Sequence, residues 1–138
     1  MKIDYDKIYI SASQARENAY APYSRFSVGA AVLLRDGRIV AGANVENASY
    51  PLAICAERAA LTAAYGAGAR KEDIAAIGVV GATDLPISPC GACRQVIAEL
   101  MDADAEVILY NLKKEKKIFR VKDLLPYPFE AGVLSDER

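Results

Sequence analysis

The chain has 138 residues, of which 53% are hydrophobic and 25% charged, a composition that suits one domain with a full core and excludes extensive disorder. Its 17 basic and 18 acidic residues leave a net charge of −1, without the basic excess typical of nucleic-acid binding. The acidic start differs from a signal peptide, and no stretch reaches the length of a membrane span. Because three cysteines fit poorly with a disulfide framework, we expect a cytoplasmic protein. From the chain length, we expect one domain over residues 1–138.

Apolar periodicity and turn residues predict alternating helices and strands along the chain. Helices are predicted over residues 4–20, 55–65 and 91–101. Strands are predicted over residues 28–34, 39–46, 74–80, 106–110 and 117–121. Asp36 and Gly37 between the first two strands are typical of a tight β-hairpin, and a short Lys-rich turn makes the last two strands antiparallel neighbours. The order predicts an α/β fold, a three-layer α-β-α sandwich around a five-stranded mixed sheet.

A helix separates the second strand from the third and the third from the fourth. Right-handed crossovers should therefore make these three strands parallel. The second and third helices then begin at the carboxyl edge of the parallel strands, which is the usual place for a ligand site. We expect the segments around residues 55 and 90 to meet at this edge.

Those two segments hold every cysteine of the sequence. Cys90 and Cys93 are three residues apart, so they share one face of a helix, and Cys55 starts the other helix. The positive end of a helix dipole favours thiolates at both starts. Because the sequence has no histidine and no fourth cysteine, we expect a catalytic zinc ion with an open coordination position. Glu57, two residues after Cys55, could act beside that position as general base and acid.

Two arginines lie close to these cysteines in sequence. Three thiolates around a divalent ion leave a charge of about −1, which we expect Arg58 and Arg94 to offset, since an uncompensated buried charge is costly. Cys55-Ala56-Glu57 followed by Pro89-Cys90-Gly91-Ala92-Cys93 also matches the all-cysteine signature of zinc nucleobase deaminases, a ligand, one residue and Glu, then Pro-Cys-x-x-Cys.

The sequence resembles the small, tetrameric class of cytidine deaminases over nearly its whole length. The matching stretches are APYSRF at 21–26, NVENA at 44–48, CAER at 55–58, SPCGACRQ at 88–95 and LLP at 124–126. The resemblance implies one zinc ion per chain on Cys55, Cys90 and Cys93. It also implies that Glu57 is the proton shuttle and that Arg58 bonds to the thiolates.

The resemblance further implies how a nucleoside is bound. Phe26 would pack on the nucleoside, while Asn44 and Glu46 would hold the ribose hydroxyls. Both residues stand at a strand end, two apart, so their side chains should point to one face, and an amide with a carboxylate suits a sugar. The remaining substrate-binding residues are Ala56 and, contributed by a neighbouring subunit of a homotetramer with shared pockets, Tyr50 and Phe129.

The activity implied is hydrolytic deamination of cytidine and deoxycytidine to uridine and deoxyuridine in pyrimidine salvage, with release of ammonia. Zinc-bound hydroxide would attack C4 of the pyrimidine while Glu57 delivers protons to N3 and to the leaving amino group. Three alternatives stay open: a deaminase of another cytosine compound such as a nucleoside antibiotic, an enzyme that edits bases in RNA or DNA, and a zinc-stabilised module without catalysis. The balanced charge argues against the second, and Glu57 beside an open metal position argues against the third.

Overall fold

The computed structural model describes residues 1–134 and contains one five-stranded sheet in the order β2-β1-β3-β4-β5. The strands are β1 Val28–Leu34, β2 Ile39–Ala43, β3 Ile74–Gly81, β4 Glu106–Asn111 and β5 Lys116–Arg120. The α-helices are α1 Tyr5–Arg16, α2 Ala56–Gly66, α3 Gly91–Leu100 and α4 Val121–Leu124. Short 3-10 turns cover Tyr50–Leu52, Lys71–Asp73 and Ala131–Val133. The predicted fold class is confirmed, with every predicted strand and helix present.

The strand directions explain how the sheet is assembled. β1 is antiparallel to both of its neighbours, β2 and β3, so β2 and β3 run the same way. β4 is parallel to β3, and β5 is antiparallel to β4. The prediction that the second, third and fourth strands share one direction is confirmed. Because β1 lies between β2 and β3, however, only β3 and β4 are hydrogen-bonded parallel neighbours.

Two element ends differ from the sequence prediction by three residues or more, and one short helix was not predicted. α1 ends at Arg16 and not near residue 20, because the backbone of Tyr20 turns to pair with the extended segment after β2, where its N–H donates to Asn44 O at 2.9 Å. β2 ends at Ala43 and not at residue 46, although Val45 stays extended and forms single bridges on both sides. The one-turn helix α4 was not predicted.

Two hydrophobic layers cover the faces of the sheet. α1 packs on one face, where Ile8 and Ala12 are fully buried. α2, α3 and α4 pack on the other face. Glycines in the sheet allow α1 to come this close: a Cβ at Gly29 would overlap the carbonyl oxygen of Ala12, and a Cβ at Gly78 would overlap the side chain of Ile8. Because these two glycines have no side chain, α1 can lie this close to the sheet.

The same arrangement places the starts of two helices at one edge of the sheet. α2 follows β2 and α3 follows β3, and both of these strands end at that edge. α2 lies close over β2 because Gly42 has no side chain, and a Cβ there would come within 2.7 Å of Ala60 N. The edge therefore brings the segments that carry the cysteines together. Among the residues described, the helices are too short or too polar to span a membrane.

Candidate metal centre and active site

The three cysteine sulfurs lie within 4.8 Å of one another. Cys55 is the residue that caps the start of α2, Cys90 caps the start of α3, and Cys93 sits in the first turn of α3. Neither capping sulfur accepts a hydrogen bond from a backbone N–H of its own helix, so both remain free to act as ligands. Cys93 is fully buried, Cys55 half-buried and Cys90 exposed, so the cluster is accessible from the protein surface.

The geometry and chemistry of this cluster fit a zinc ion. Tetrahedral zinc with Zn–S bonds of about 2.3 Å separates two sulfur ligands by about 3.8 Å, a distance this cluster can adopt. The sequence has no histidine and no fourth cysteine that could close the site. Three protein ligands leave a fourth position for water or substrate, which is the arrangement of a catalytic zinc site.

The charges around the sulfurs also favour a cation. The pKa of Cys55 is lowered to about 5, chiefly because the Cys93 thiol donates to its sulfur, and also because Arg58 donates, while burial opposes the shift. The pKa of Cys93 is raised, because it keeps the proton that it donates and because it is buried. A divalent ion would replace that shared proton and hold all three sulfurs as thiolates.

Only one of the two arginines expected beside the thiolates contacts a sulfur. Nη2 of Arg58 lies 3.5 Å from Sγ of Cys55 and 3.4 Å from the carbonyl oxygen of Ala53. The guanidinium of Arg94 instead donates to the Pro89 carbonyl at 2.9 Å, to the Leu124 carbonyl at 2.8 Å and to the Ser88 hydroxyl at 2.6 Å. Arg94 therefore ties the loop before Cys90 to the end of α4.

Glu57 lies in the first turn of α2 and is only 5% exposed. Its pKa is raised, mainly because burial disfavours the charged carboxylate and further because the negative charge of Cys55 is close. A carboxyl group with a raised pKa gains and loses a proton nearer to neutral pH than an exposed glutamate does. Glu57 is therefore suited to proton transfer beside the three sulfurs.

A cavity of about 250 Å³ opens beside the cluster. It is lined by Ser24, Phe26, Val28, Asn44, Glu46, Cys55, Ala56, Glu57, Ile87 and Cys90. The cavity thus combines two of the cysteines and Glu57 with four of the residues expected to bind substrate, namely Phe26, Asn44, Glu46 and Ala56.

Asn44 and Glu46 are already partly engaged within the chain. The Asn44 amide donates to the Phe26 carbonyl at 2.9 Å and accepts from the Val28 N–H at 2.8 Å. The Glu46 carboxylate accepts from the N–H groups of Tyr23 and Ser24 at 3.0 and 3.1 Å. Their side chains therefore hold residues 23–28, the segment that carries Phe26, against the end of β2.

Comparison with known proteins agrees with the geometry of the site. Residues 3–110 match the family model described as the cytidine and deoxycytidylate deaminase zinc-binding region. The chain belongs to this family. Together with the three-cysteine cluster, membership identifies the chain as a zinc-dependent hydrolase with zinc as its metal.

Individual relatives are similar over their full length. A cytidine deaminase of Halalkalibacterium halodurans is 52% identical over 134 residues, 97% of this chain and 100% of that protein. A cytidine deaminase of Mycobacterium tuberculosis is 40% identical over 136 residues, 99% of this chain and 97% of that protein. The crystal structure of cytidine deaminase from Burkholderia pseudomallei superimposes with a TM-score of 0.90 at 50% identity and covers 92% of this chain and 100% of that one.

Two residues expected at the deaminase site lie outside the cavity of their own chain. Tyr50 is 70% exposed and lines a neighbouring cleft of about 290 Å³, where its ring lies 5.7 Å from that of Tyr23. Phe129 is 60% exposed, and its carbonyl accepts from Gln95 Nε2 at 3.0 Å.

Three cavity residues were missed by the sequence analysis. Ser24 belongs to a stretch on which the family resemblance rests, so its position carried a signal that was not used. Val28 begins β1. Ile87 lies on the loop before α3, and its side chain lies over Gly81, next to the ring of Phe26. Apolar residues in these positions carry no signal in the sequence that separates them from core residues.

Proposed function

We propose that this chain hydrolyses cytidine and deoxycytidine to uridine and deoxyuridine and releases ammonia. One observation carries the proposal: the three cysteine sulfurs and the buried Glu57 meet at a cavity that is also lined by Phe26, Asn44 and Glu46. A structural zinc site needs neither an open position nor a buried carboxyl group beside it. The relatives named as cytidine deaminases, which match over nearly the whole chain, support the same substrate.

Cys55, Cys90 and Cys93 hold one zinc ion in this proposal, and Arg58 stabilises the Cys55 thiolate. The ion supplies Lewis-acid activation of water near neutral pH. Glu57 accepts a proton from the attacking water and delivers it to N3 of the pyrimidine. It then carries a second proton to the amino nitrogen that leaves C4 as ammonia. Its raised pKa suits both steps, because the group must give and take a proton in each turnover.

The other cavity residues would orient the nucleoside. Phe26 offers an aromatic face to pack on it, and Asn44 and Glu46 bind the sugar hydroxyls. Ala56, the first residue of α2, has a backbone N–H without a partner inside the helix, and its small side chain leaves space for the pyrimidine.

Exposed apolar side chains support contacts with further copies of the chain, and we propose that these form a homotetramer with shared pockets. Tyr50, Leu52 and Ile54 are 70%, 64% and 47% exposed on one segment, and Phe129 is 60% exposed. Apolar surface of this kind marks contacts between proteins. In the proposed assembly, a neighbouring subunit contributes Tyr50 and Phe129 to the cavity.

The chain is further proposed to be one domain in the cytoplasm. A single sheet with a core on both faces extends across the described residues. All three cysteines are free thiols, which suits a reducing compartment.

The test is turnover by the zinc-loaded chain with cytidine, deoxycytidine, cytosine, CMP and a cytosine-containing antibiotic. We expect cytidine and deoxycytidine to lose ultraviolet absorbance as the uracil products form. Protein that contains one zinc ion per chain and leaves cytidine intact would refute the proposal. Selective turnover of the antibiotic would mean that the antibiotic, and not cytidine, is the substrate.

Glu57→Gln tests the proton-transfer role. We expect it to retain zinc by metal analysis while turnover falls by roughly 10²–10⁴-fold, the usual contribution of general acid–base catalysis. Near-normal turnover by this variant would show that another group transfers the protons.

A further inference from the structure

Ser24 lies between two residues that the proposed function assigns to substrate. Its hydroxyl group donates to Oε2 of Glu46, and Oγ of Ser24 itself accepts from the N–H of Phe26 at 3.0 Å. Ser24 also lines the cavity itself. One side chain therefore links the carboxylate expected on the sugar to the backbone of the aromatic residue expected on the nucleoside.

The bonds already made by Glu46 limit what else it can bind. A carboxylate has about four acceptor positions, two on each oxygen. Oε1 accepts from the N–H groups of Tyr23 and Ser24 at 3.0 and 3.1 Å, which fills both of its positions. Oε2 accepts from the Ser24 hydroxyl, so one position remains on that oxygen.

The remaining position is suited to a hydroxyl group. Bonds from the Ser24 hydroxyl and from the N–H groups of Ser24 and Tyr23 lower the pKa of Glu46, so the group stays an ionised carboxylate. An ionised carboxylate can only accept hydrogen bonds. Its partner in the cavity must therefore be a donor, as a sugar hydroxyl is.

We infer that Ser24 is a positioning residue that restricts Glu46 to one sugar hydroxyl and aims the free acceptor position of Oε2 at it. The inference rests on the proposed function, because it requires a nucleoside sugar beside Glu46. Without the Ser24 hydroxyl, the carboxylate keeps only its two backbone bonds at Oε1. Oε2 then has two open positions and a less defined direction, and the choice between neighbouring hydroxyls weakens.

Asn44 has a complementary role in the same segment. Its amide uses one N–H on the Phe26 carbonyl and one acceptor position on the Val28 N–H, so one donor and one acceptor remain for the sugar. The Phe26 backbone is thus held at its N–H by Ser24 and at its carbonyl by Asn44.

Ser24→Ala tests the inference through KM and kcat. We expect KM for cytidine to rise about tenfold, the change that corresponds to losing about 1.4 kcal/mol from one hydrogen bond to a charged group. We expect kcat to stay within about twofold, since Ser24 has no role in proton transfer. Ser24→Thr keeps the hydroxyl and should restore most of the affinity.

Ser27→Ala is the matched control on the same segment. The backbone carbonyl of Ser27 accepts from Nε of Arg16 at 3.0 Å, and this bond survives the substitution. We expect its KM and kcat to equal those of the unsubstituted chain. If Ser24→Ala is too unstable for assay, Ser24→Cys, with its weak S–H donor, should give an intermediate rise in KM.

Deoxy analogues separate positioning from a general loss of structure. In the unsubstituted chain, KM should rise when the one hydroxyl bound by Glu46 is removed, which a comparison of cytidine with its 2′-deoxy and 3′-deoxy forms identifies. In Ser24→Ala this penalty, the ratio of KM for the deoxy compound to KM for cytidine, should shrink several-fold. An equal rise of KM for all three compounds, with the penalty unchanged, would overturn the inference.

The same series separates failure of the inference from failure of the proposed function. An unsubstituted chain that deaminates cytidine and discriminates between the analogues upholds the function, whatever Ser24→Ala does. An unsubstituted chain that deaminates cytosine but not cytidine overturns both the nucleoside assignment and the role of Ser24.

Discussion

Asn111 offers the most direct test of how the loop before α3 is held. It is fully buried at the end of β4. Its amide nitrogen donates to the Asp84 carbonyl at 2.9 Å and to Oε1 of Glu115 at 2.7 Å. Its amide oxygen accepts from the N–H groups of Lys113 and Glu115, both at 3.1 Å. Asn111 thus joins the turn between β4 and β5 to the loop that leads towards Cys90.

Asn111→Ala removes all four bonds. At about 0.5–1.5 kcal/mol each, with water replacing part of the loss at the exposed partners, the free energy of unfolding should fall by about 3 kcal/mol. For a chain of this size, the melting temperature should fall by about 10 °C. Urea unfolding of the zinc-loaded protein at one fixed concentration measures the change, because bound metal and assembly also alter apparent stability.

Glu115→Gln is the matched control for this measurement. It keeps a side-chain oxygen for the Asn111 amide and changes only an exposed charge, so it should shift the free energy of unfolding by less than about 0.5 kcal/mol. An Asn111→Ala protein within about 1 kcal/mol of the unsubstituted chain would refute the reasoning, because it would mean that water satisfies these groups at little cost.

Arg58→Ala should weaken zinc binding by roughly 10–100-fold in a chelator competition, because the Cys55 sulfur loses its cationic donor; unchanged affinity would refute the stabilising role. Arg58→Lys keeps the charge and should recover part of the loss. Gly29→Ala should destabilise the chain by about 2 kcal/mol or more in urea unfolding, because its Cβ would overlap the Ala12 carbonyl. Gly66→Ala, whose Cβ would meet nothing within 4 Å, is the control and should be neutral or stabilising; equal losses for both would contradict the packing argument.

Local sequence patterns were sufficient to predict the strands β1 and β3, but not the end of α1 or the helix α4. β3 is apolar throughout and buried throughout, and β1 was predicted with its observed bounds. α1 was predicted too long, because Ala19 and Tyr20 continue its spacing while the backbone of Tyr20 pairs with a segment more than twenty residues away. α4 has only four residues and is held partly by the bond from Arg94 to the Leu124 carbonyl, a contact that no local pattern reveals.

The site shows the same division between local and distant information. The spacing of the cysteines and their place at two helix starts were enough to predict that their sulfurs meet. The charge argument alone did not distinguish Arg58, which the family resemblance implied, from Arg94, because the carbonyl groups that bind Arg94 include one from residue 124. It identified the chemistry of Asn44 and Glu46, but their bonds to residues 23–28 depend on how that segment folds back.

The position of β1 between β2 and β3 has a consequence for the order of folding. Cys55 follows β2 and Cys90 follows β3, and these two strands are separated by the full width of β1. The hairpin of β1 and β2 is local and can form early, whereas β1 and β3 pair residues as far apart as Val28 and Gly81. The three sulfurs therefore come together only after this long-range pairing. We expect tight zinc uptake during refolding to coincide with the pairing of β1 and β3, so that metal binding reports when this long-range contact forms.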